Sequence, residues 1–105
     1  MRPPEAFGID EVVRFLMTTF RTYDIRHVNR SYMNKLYPEA QAFGLTNLKK
    51  RKIYLMKDLQ NGDHDRVFLH ELAHVYKDGI VGDNASEDDI WHLSTAWLRT
   101  IYGLQ

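Results

Sequence analysis

The stretch His70-Glu71-Leu72-Ala73-His74 decides how this 105-residue chain is interpreted. Residues four apart lie above one another on a helix, so His70 and His74 can direct two imidazole nitrogens at one point. Glu71 is rotated from this pair by about 100° and can instead reach a water molecule beside a bound metal. The pattern predicts a Zn²⁺ site, with Glu71 as the general base of a hydrolytic reaction.

The residues around this stretch favour a helix that presents both histidines away from the core. Its large apolar side chains gather on one side of a helical wheel, and the histidines lie nearly opposite. An acidic N-cap is expected at Asp63 or Asp65, after a turn at 61–63, and a C-terminal cap at Gly79. The sequence therefore predicts a helix over about 65–78. The apolar set is Phe68, Leu69, Leu72, Val75 and Tyr76.

Composition predicts one globular domain, residues 1–105, in a cytoplasmic setting. The chain is 44% hydrophobic and 27% charged, with a formal net charge of zero and no cysteine. Disulfides and thiolate zinc ligands are therefore excluded. No apolar run reaches the length of a transmembrane helix, and charges at Asp10, Glu11 and Arg14 interrupt any apolar signal core. A neutral chain also argues against broad electrostatic binding of nucleic acid, so no nucleic-acid or membrane partner is expected.

Periodicity predicts an α+β fold with a small three-stranded sheet. Helical spacing over 10–22 predicts an amphipathic helix that packs its apolar stripe on the sheet. Strands are predicted at 24–30, 42–46 and 52–56, with helical turns at 31–37. The basic run at 47–52 is interpreted as a solvated hairpin tip. The stripe expected to be buried consists of Ile9, Val12, Val13, Leu16, Met17 and Phe20.

A final helix is predicted to begin at Ser86, and it offers the third metal ligand. Acidic residues follow Ser86 in the first turn, where they are favoured by the helix dipole. On the wheel Glu87 lies at the edge of the buried stripe, whereas His92 lies on the solvent side, so Glu87 is preferred. The alternatives left open are His92, Asp88 and Asp89. The predicted stripe is Ile90, Leu93, Trp97, Ile101 and Leu104.

The order of elements, together with the H-E-x-x-H motif, resembles the zincin metallopeptidases. With Glu87 as third ligand the chain is similar to the gluzincins, and in size to the minigluzincins. The run from Phe43 to Thr46, then Lys52 to Leu55, then the motif, is also similar to ImmA/IrrE-type peptidases. SprT-like proteases share the order but use histidine as third ligand. The resemblance implies a minimal zincin-like fold: a backing helix, a mostly antiparallel sheet, the motif helix and a ligand-bearing C-terminal helix.

The resemblance also implies an activity and a substrate strand. It implies a zinc-dependent endopeptidase that binds a protein or peptide substrate in extended form along Ile53, Tyr54 and Leu55. Gluzincins often carry an aspartate four residues beyond the third ligand, but Trp91 stands there, so no residue is assigned to orient a ligand histidine. The alternative hypothesis is a regulatory or latent zinc-binding module that works with a protein partner.

Overall fold

Helices and short strands alternate along the chain in the order that the sequence predicts. The structure is a computed structural model, and it describes residues 8–38, 42–59, 61–82 and 84–103. The predicted strand at 52–56 is confirmed in its bounds, and most other ends shift by one or two residues. Leu104 lies outside the described residues. The elements are α1 (Ile9–Thr22), β1 (Asp24–Val28), α2 (Arg30–Leu36), β2 (Gly44–Asn47), β3 (Lys52–Met56), α3 (Asn61–His74), a π-helical segment (Val75–Val81) and α4 (Glu87–Tyr102).

The three strands form one mixed sheet in the order β1-β3-β2. β1 pairs with β3 in parallel, and β2 pairs with β3 in antiparallel register, with Gly44 opposite Leu55. The expectation of a mostly antiparallel sheet therefore holds for one of the two pairings. Alternation along a strand predicts which face is buried but contains no information on strand direction, which long-range packing decides.

The central strand β3 divides the core into two clusters. Successive side chains of a strand point to opposite faces. Ile53 and Leu55 pack with α1, α3 and α4, whereas Tyr54 and Met56 pack with Met33 of α2. Each buried apolar side chain of this kind contributes about 1.5–3 kcal/mol. The sheet is thus covered on both faces, and the larger cluster supports α3, which carries the two motif histidines, and α4.

The apolar stripe of α1 is only partly buried, contrary to the prediction. Val12 is 1% exposed, but Val13, Met17 and Phe20 are between 42% and 56% exposed. The helix faces the core through Phe15, whose ring lies 5.3 Å from that of Trp97. The apolar face of α1 is wider than the area of the helix that packs against the rest of the domain, so part of this face stays exposed. None of the helices in the described ranges has the length and apolar composition required to cross a bilayer.

The motif helix begins earlier and ends differently from the prediction. α3 starts at Asn61 and becomes π-helical after His74. Gly79 lies within the π-helical segment and not at its end, and the left-handed residue that closes it is Gly82, with φ of 78°. A side chain at Gly79 would lie 3.2 Å from Leu48. π-Helical turns are often found at functional sites. Here the turn carries Asp78, whose role is described below.

Candidate metal centre

Three side chains from two helices meet at one point of the surface. His70 and His74 project from α3, and Glu87 is the first residue of α4. Glu87 Oε2 lies 3.1 Å from His70 Nε2, and Glu87 Oε1 lies 3.3 Å from His74 Nε2. One ligand atom from each residue falls within 4.8 Å of the others. The side chains that the sequence predicts as ligands are therefore brought together.

The donor set fits a tetrahedral zinc ion. Three ligands at about 2.0–2.1 Å from one zinc lie roughly 3.3 Å from each other. Glu87 approaches both histidine nitrogens at a similar distance, through Oε2 at 3.1 Å from His70 and through Oε1 at 3.3 Å from His74. Burial, and then the neighbouring His74, lowers the pKa of His70, which favours the neutral imidazole that metals bind. When each imidazole is neutral and carries its proton on Nδ1, the two Nε2 nitrogens and the Glu87 carboxylate are all acceptors, and such atoms repel unless a cation lies between them.

The alternative ligands lie elsewhere. Asp88, Asp89 and His92 are exposed on α4. None of them belongs to the three-residue group found among the described residues. Ser86 caps α4 by accepting a hydrogen bond from the backbone N–H of Asp89 at 3.2 Å, so the predicted start of this helix is confirmed. That start places Glu87, 74% exposed in its side chain, at the edge nearest α3.

Asp78 orients the site, and the sequence analysis did not find it. Its Oδ2 accepts a hydrogen bond from His74 Nδ1 at 2.9 Å, and its Oδ1 accepts one from the backbone N–H of Ala85 at 2.9 Å. With the proton on Nδ1, the Nε2 lone pair of His74 faces Glu87. The hydrogen bond from Ala85 holds the segment that precedes α4, and it thereby helps to fix the position of Glu87. The signal that identifies Asp78 is its spacing, four residues beyond a ligand histidine.

Glu71 is held under strand β2. Its side chain is 6% exposed, and its Oε1 accepts a hydrogen bond from Thr46 Oγ1 at 2.8 Å. Burial raises the pKa of Glu71 to about 6, against the hydrogen bond from Thr46, which lowers it. A side chain at Gly44 would come within 2.7 Å of Val67 and 3.0 Å of Glu71. Glycine therefore permits the close approach of β2 to α3 that positions this carboxylate.

The predicted substrate strand does not agree with the sheet topology. Ile53, Tyr54 and Leu55 belong to β3, which pairs on both sides, and all three are at least 93% buried. A central strand has no free row of backbone groups for an added strand. Among the described strands, the edge beside α3 is β2. Strand order depends on long-range packing, which the sequence does not specify. The accessible edge strand is therefore β2 and not the predicted β3.

A cleft runs beside β2 and contains the candidate site. It has a volume of about 360 Å³ and is lined by His70, Glu71, His74, Glu87, Thr46 and Tyr37. A neighbouring cavity of about 550 Å³ shares His70 and Glu71 and is otherwise largely apolar. Glu71 and the three candidate ligands thus border one space.

Comparison with protein-family models, with curated proteins and with solved structures finds no match for this chain. The site is therefore interpreted from its own residues and their geometry.

Proposed function

We propose that this chain is a zinc-dependent peptidase in which His70, His74 and Glu87 bind the metal. The single observation that supports the proposal most strongly is the convergence of these ligand atoms beside a buried glutamate. Glu71 follows His70 directly along α3, and Glu87 of α4 joins the two histidines, which supports the proposal. Two histidines, one carboxylate and an open position form a ligand set of catalytic zinc.

The residues of the chain then have distinct roles. Bound Zn²⁺ supplies a water of lowered pKa and polarises the substrate carbonyl. Glu71 removes a proton from the attacking water as the new C–O bond forms, and it transfers that proton to the amine when the C–N bond breaks. Thr46 holds Oε1 of Glu71 at 2.8 Å and thereby fixes the carboxylate under the cleft. Asp78 keeps His74 and the start of α4 in place.

We propose further that the substrate binds in extended form along the free edge of β2. Backbone hydrogen bonds to an edge strand give affinity without strong side-chain preference. Thr46 on this strand contacts the proposed base, so a peptide paired with β2 passes next to Glu71.

The substitution Glu71→Gln tests the proposal. It keeps the shape and the hydrogen bond from Thr46 but removes the proton acceptor. We expect zinc binding within about twofold of wild type and a loss of peptide hydrolysis of at least about 100-fold. Casein-like unstructured substrates and a quenched-peptide library provide the assay. Unchanged turnover in Glu71→Gln would refute the assigned base.

The same assay distinguishes the alternative function. A regulatory zinc-binding module predicts stoichiometric zinc with no turnover by the wild-type chain on any peptide of the library.

Asp58→Asn is the carboxylate-to-amide control for Glu71→Gln, because Asp58 is exposed. This control should behave as wild type in both zinc binding and peptide hydrolysis.

A further inference from the structure

Three cavities lie in a row along β2 and the hairpin that follows it. The central one is the cleft described above. The apolar cavity shares Gly44, His70 and Glu71 with the cleft, and a third cavity shares Leu48 and Asp78 with it. Gly44 lies at one end of β2, and Leu48 comes directly after the other end. The proposed reaction site is therefore flanked on both sides, and the two flanks differ in chemistry.

The first flank, the apolar cavity, is suited to a bulky hydrocarbon side chain. Its walls include Phe43, Leu59, Val67 and Trp91, with Asp63 and Arg66 as its charged members besides Glu71. Phe43 is 51% exposed and Trp91 56% exposed, so both rings present apolar surface to an incoming ligand. A volume of about 550 Å³ admits a large side chain. Burying such a side chain would contribute about 1.5–3 kcal/mol.

The second flank, a basic cavity of about 570 Å³, is suited to an anion. Lys49 and Arg51 of the hairpin line it together with the hydroxyl-bearing Thr18, Thr22 and Tyr23. No ion pair joins Lys49 or Arg51 to an acid within the ranges that the structure describes. The acidic residue in the lining, Asp78, is already bonded to His74 and Ala85. Within the described residues, the positive charge of Lys49 and Arg51 is thus not neutralised by a paired acid, which favours an anionic ligand.

We propose that the site selects extended peptides with a bulky apolar side chain on one side of the reacting bond and an acidic side chain on the other. This inference rests on the proposed function and names its substrate class. The apolar side chain occupies the cavity beside Trp91, and the carboxylate contacts Lys49 and Arg51. Gly44, at the start of β2, and Leu48, directly after its end, are four residues apart, so an extended peptide paired with β2 places the two side chains about four to five residues apart.

Peptide binding to the zinc-loaded Glu71→Gln protein tests the inference without turnover. The probes are fluorescent decapeptides with a leucine and, five residues away, a Glu-Glu, Gln-Gln or Lys-Lys pair, synthesised in both orders. We expect the Glu-Glu peptide, in one order, to bind about three- to tenfold more tightly than the Gln-Gln peptide in fluorescence anisotropy. The Lys-Lys peptide should bind most weakly, and added salt should reduce the differences.

Two pairs of charge reversals provide matched controls. Lys49→Glu/Arg51→Glu should abolish or invert the preference for acid. Arg14→Glu/Lys35→Glu changes the net charge by the same amount at exposed positions outside the three cavities. This second pair should retain the preference for acidic peptides. Replacing Trp91 with Ala should weaken binding of the leucine peptide more than that of a serine analogue. Equal affinity for the three peptides, no binding, or equal effects of both reversals would overturn the inference.

Wild-type turnover of the same peptides separates the two proposals. Cleavage without any preference for acid would support the peptidase and refute the selectivity. Preference for acid in binding with no cleavage by the wild-type chain would support the selectivity and refute the peptidase.

Discussion

Two pairs of histidines approach each other in this molecule, and only one of them forms a candidate metal site. His70 and His74 converge on Glu87, with Asp78 behind His74. His27 of β1 and His64 of α3 meet directly, with their Nε2 atoms 2.9 Å apart. In this second pair the facing nitrogens form a hydrogen bond with each other, and no third ligand joins them among the described residues.

The orienting carboxylates differ in the same way. Asp78 bonds His74 at 2.9 Å, whereas the nearest contact of His64 with Asp65 is 3.6 Å, beyond hydrogen-bond reach. Asp65 is instead bonded to the Tyr102 hydroxyl. Both pairs bring two imidazoles close together, so proximity of the rings alone does not form a candidate metal site. A metal site also requires a third ligand from another element and a partner that fixes the direction of a ring.

Removal of a ligand histidine should have the largest effect on zinc affinity. Structural zinc sites bind with roughly 10–16 kcal/mol over four ligands, so the loss of one ligand in His74→Ala should weaken binding by at least about 100-fold. The matched variant His64→Ala should leave zinc affinity unchanged and lower the unfolding free energy by about 1 kcal/mol, because it loses one hydrogen bond. Zinc titration calorimetry checks both. Equal losses in the two variants would remove the distinction between the pairs.

Replacement of Glu87 tests the third ligand and should have the next largest effect. Glu87→Gln removes the negative ligand and should reduce zinc affinity by at least about tenfold, since charged hydrogen-bonding groups at such sites contribute roughly 1.5–3 kcal/mol. His92→Ala and Asp88→Asn should bind zinc as wild type does in the same titration. A loss in His92→Ala with none in Glu87→Gln would assign the ligand to His92.

Asp78→Asn should reduce zinc affinity by about 10- to 100-fold, the usual effect of removing a partner that orients a ligand histidine. The amide still fits the space, so the overall fold should persist. The imidazole N–H proton and ring-nitrogen shifts of His74 in an NMR spectrum report whether the ring has lost its orientation. An Asp78→Asn variant that binds zinc normally would contradict the role assigned to the π-helical segment.

The smallest effect concerns the metal-free protein and its pH dependence. Burial raises the pKa of Glu71 to about 6, above its value in the unfolded chain. Its contribution to stability is therefore fully present below about pH 4.5 and is lost as the pH rises through about 6. Relative to wild type, Glu71→Gln should gain about 2 kcal/mol at pH 7.5 and less than half of that at pH 5. Urea unfolding with a chelator measures this, and a gain independent of pH would argue against a buried titrating carboxylate.

Local geometry explains which parts of the site could be predicted from the sequence. His70, Glu71 and His74 lie close together along one helix, and the helical wheel of α4 favours Glu87 as the third ligand over Asp88, Asp89 and His92. Asp78 has the same spacing as the two histidines, four residues beyond His74, and is therefore predictable from the sequence, whereas the position four residues beyond Glu87 is occupied by Trp91.

Long-range packing explains what could not be predicted. The alternation of β3 predicts a strand, but it does not predict that this strand lies at the centre of the sheet. Because β3 is central, the proposed substrate edge is β2. The stripe of α1 predicts a helix but not which part of its apolar arc finds a partner, so Val13, Met17 and Phe20 remain exposed. Thr46 contacts Glu71 from 25 residues away, and no local pattern indicates that bond.

Crystallography of the zinc-loaded protein, with anomalous scattering measured at the zinc edge, tests the central claim most directly. The account predicts one peak per chain, between His70 Nε2, His74 Nε2 and a Glu87 carboxylate oxygen, at about 2.0–2.2 Å from each. A chain that takes up no zinc, or a peak between His27 and His64 with none at Glu87, would contradict it.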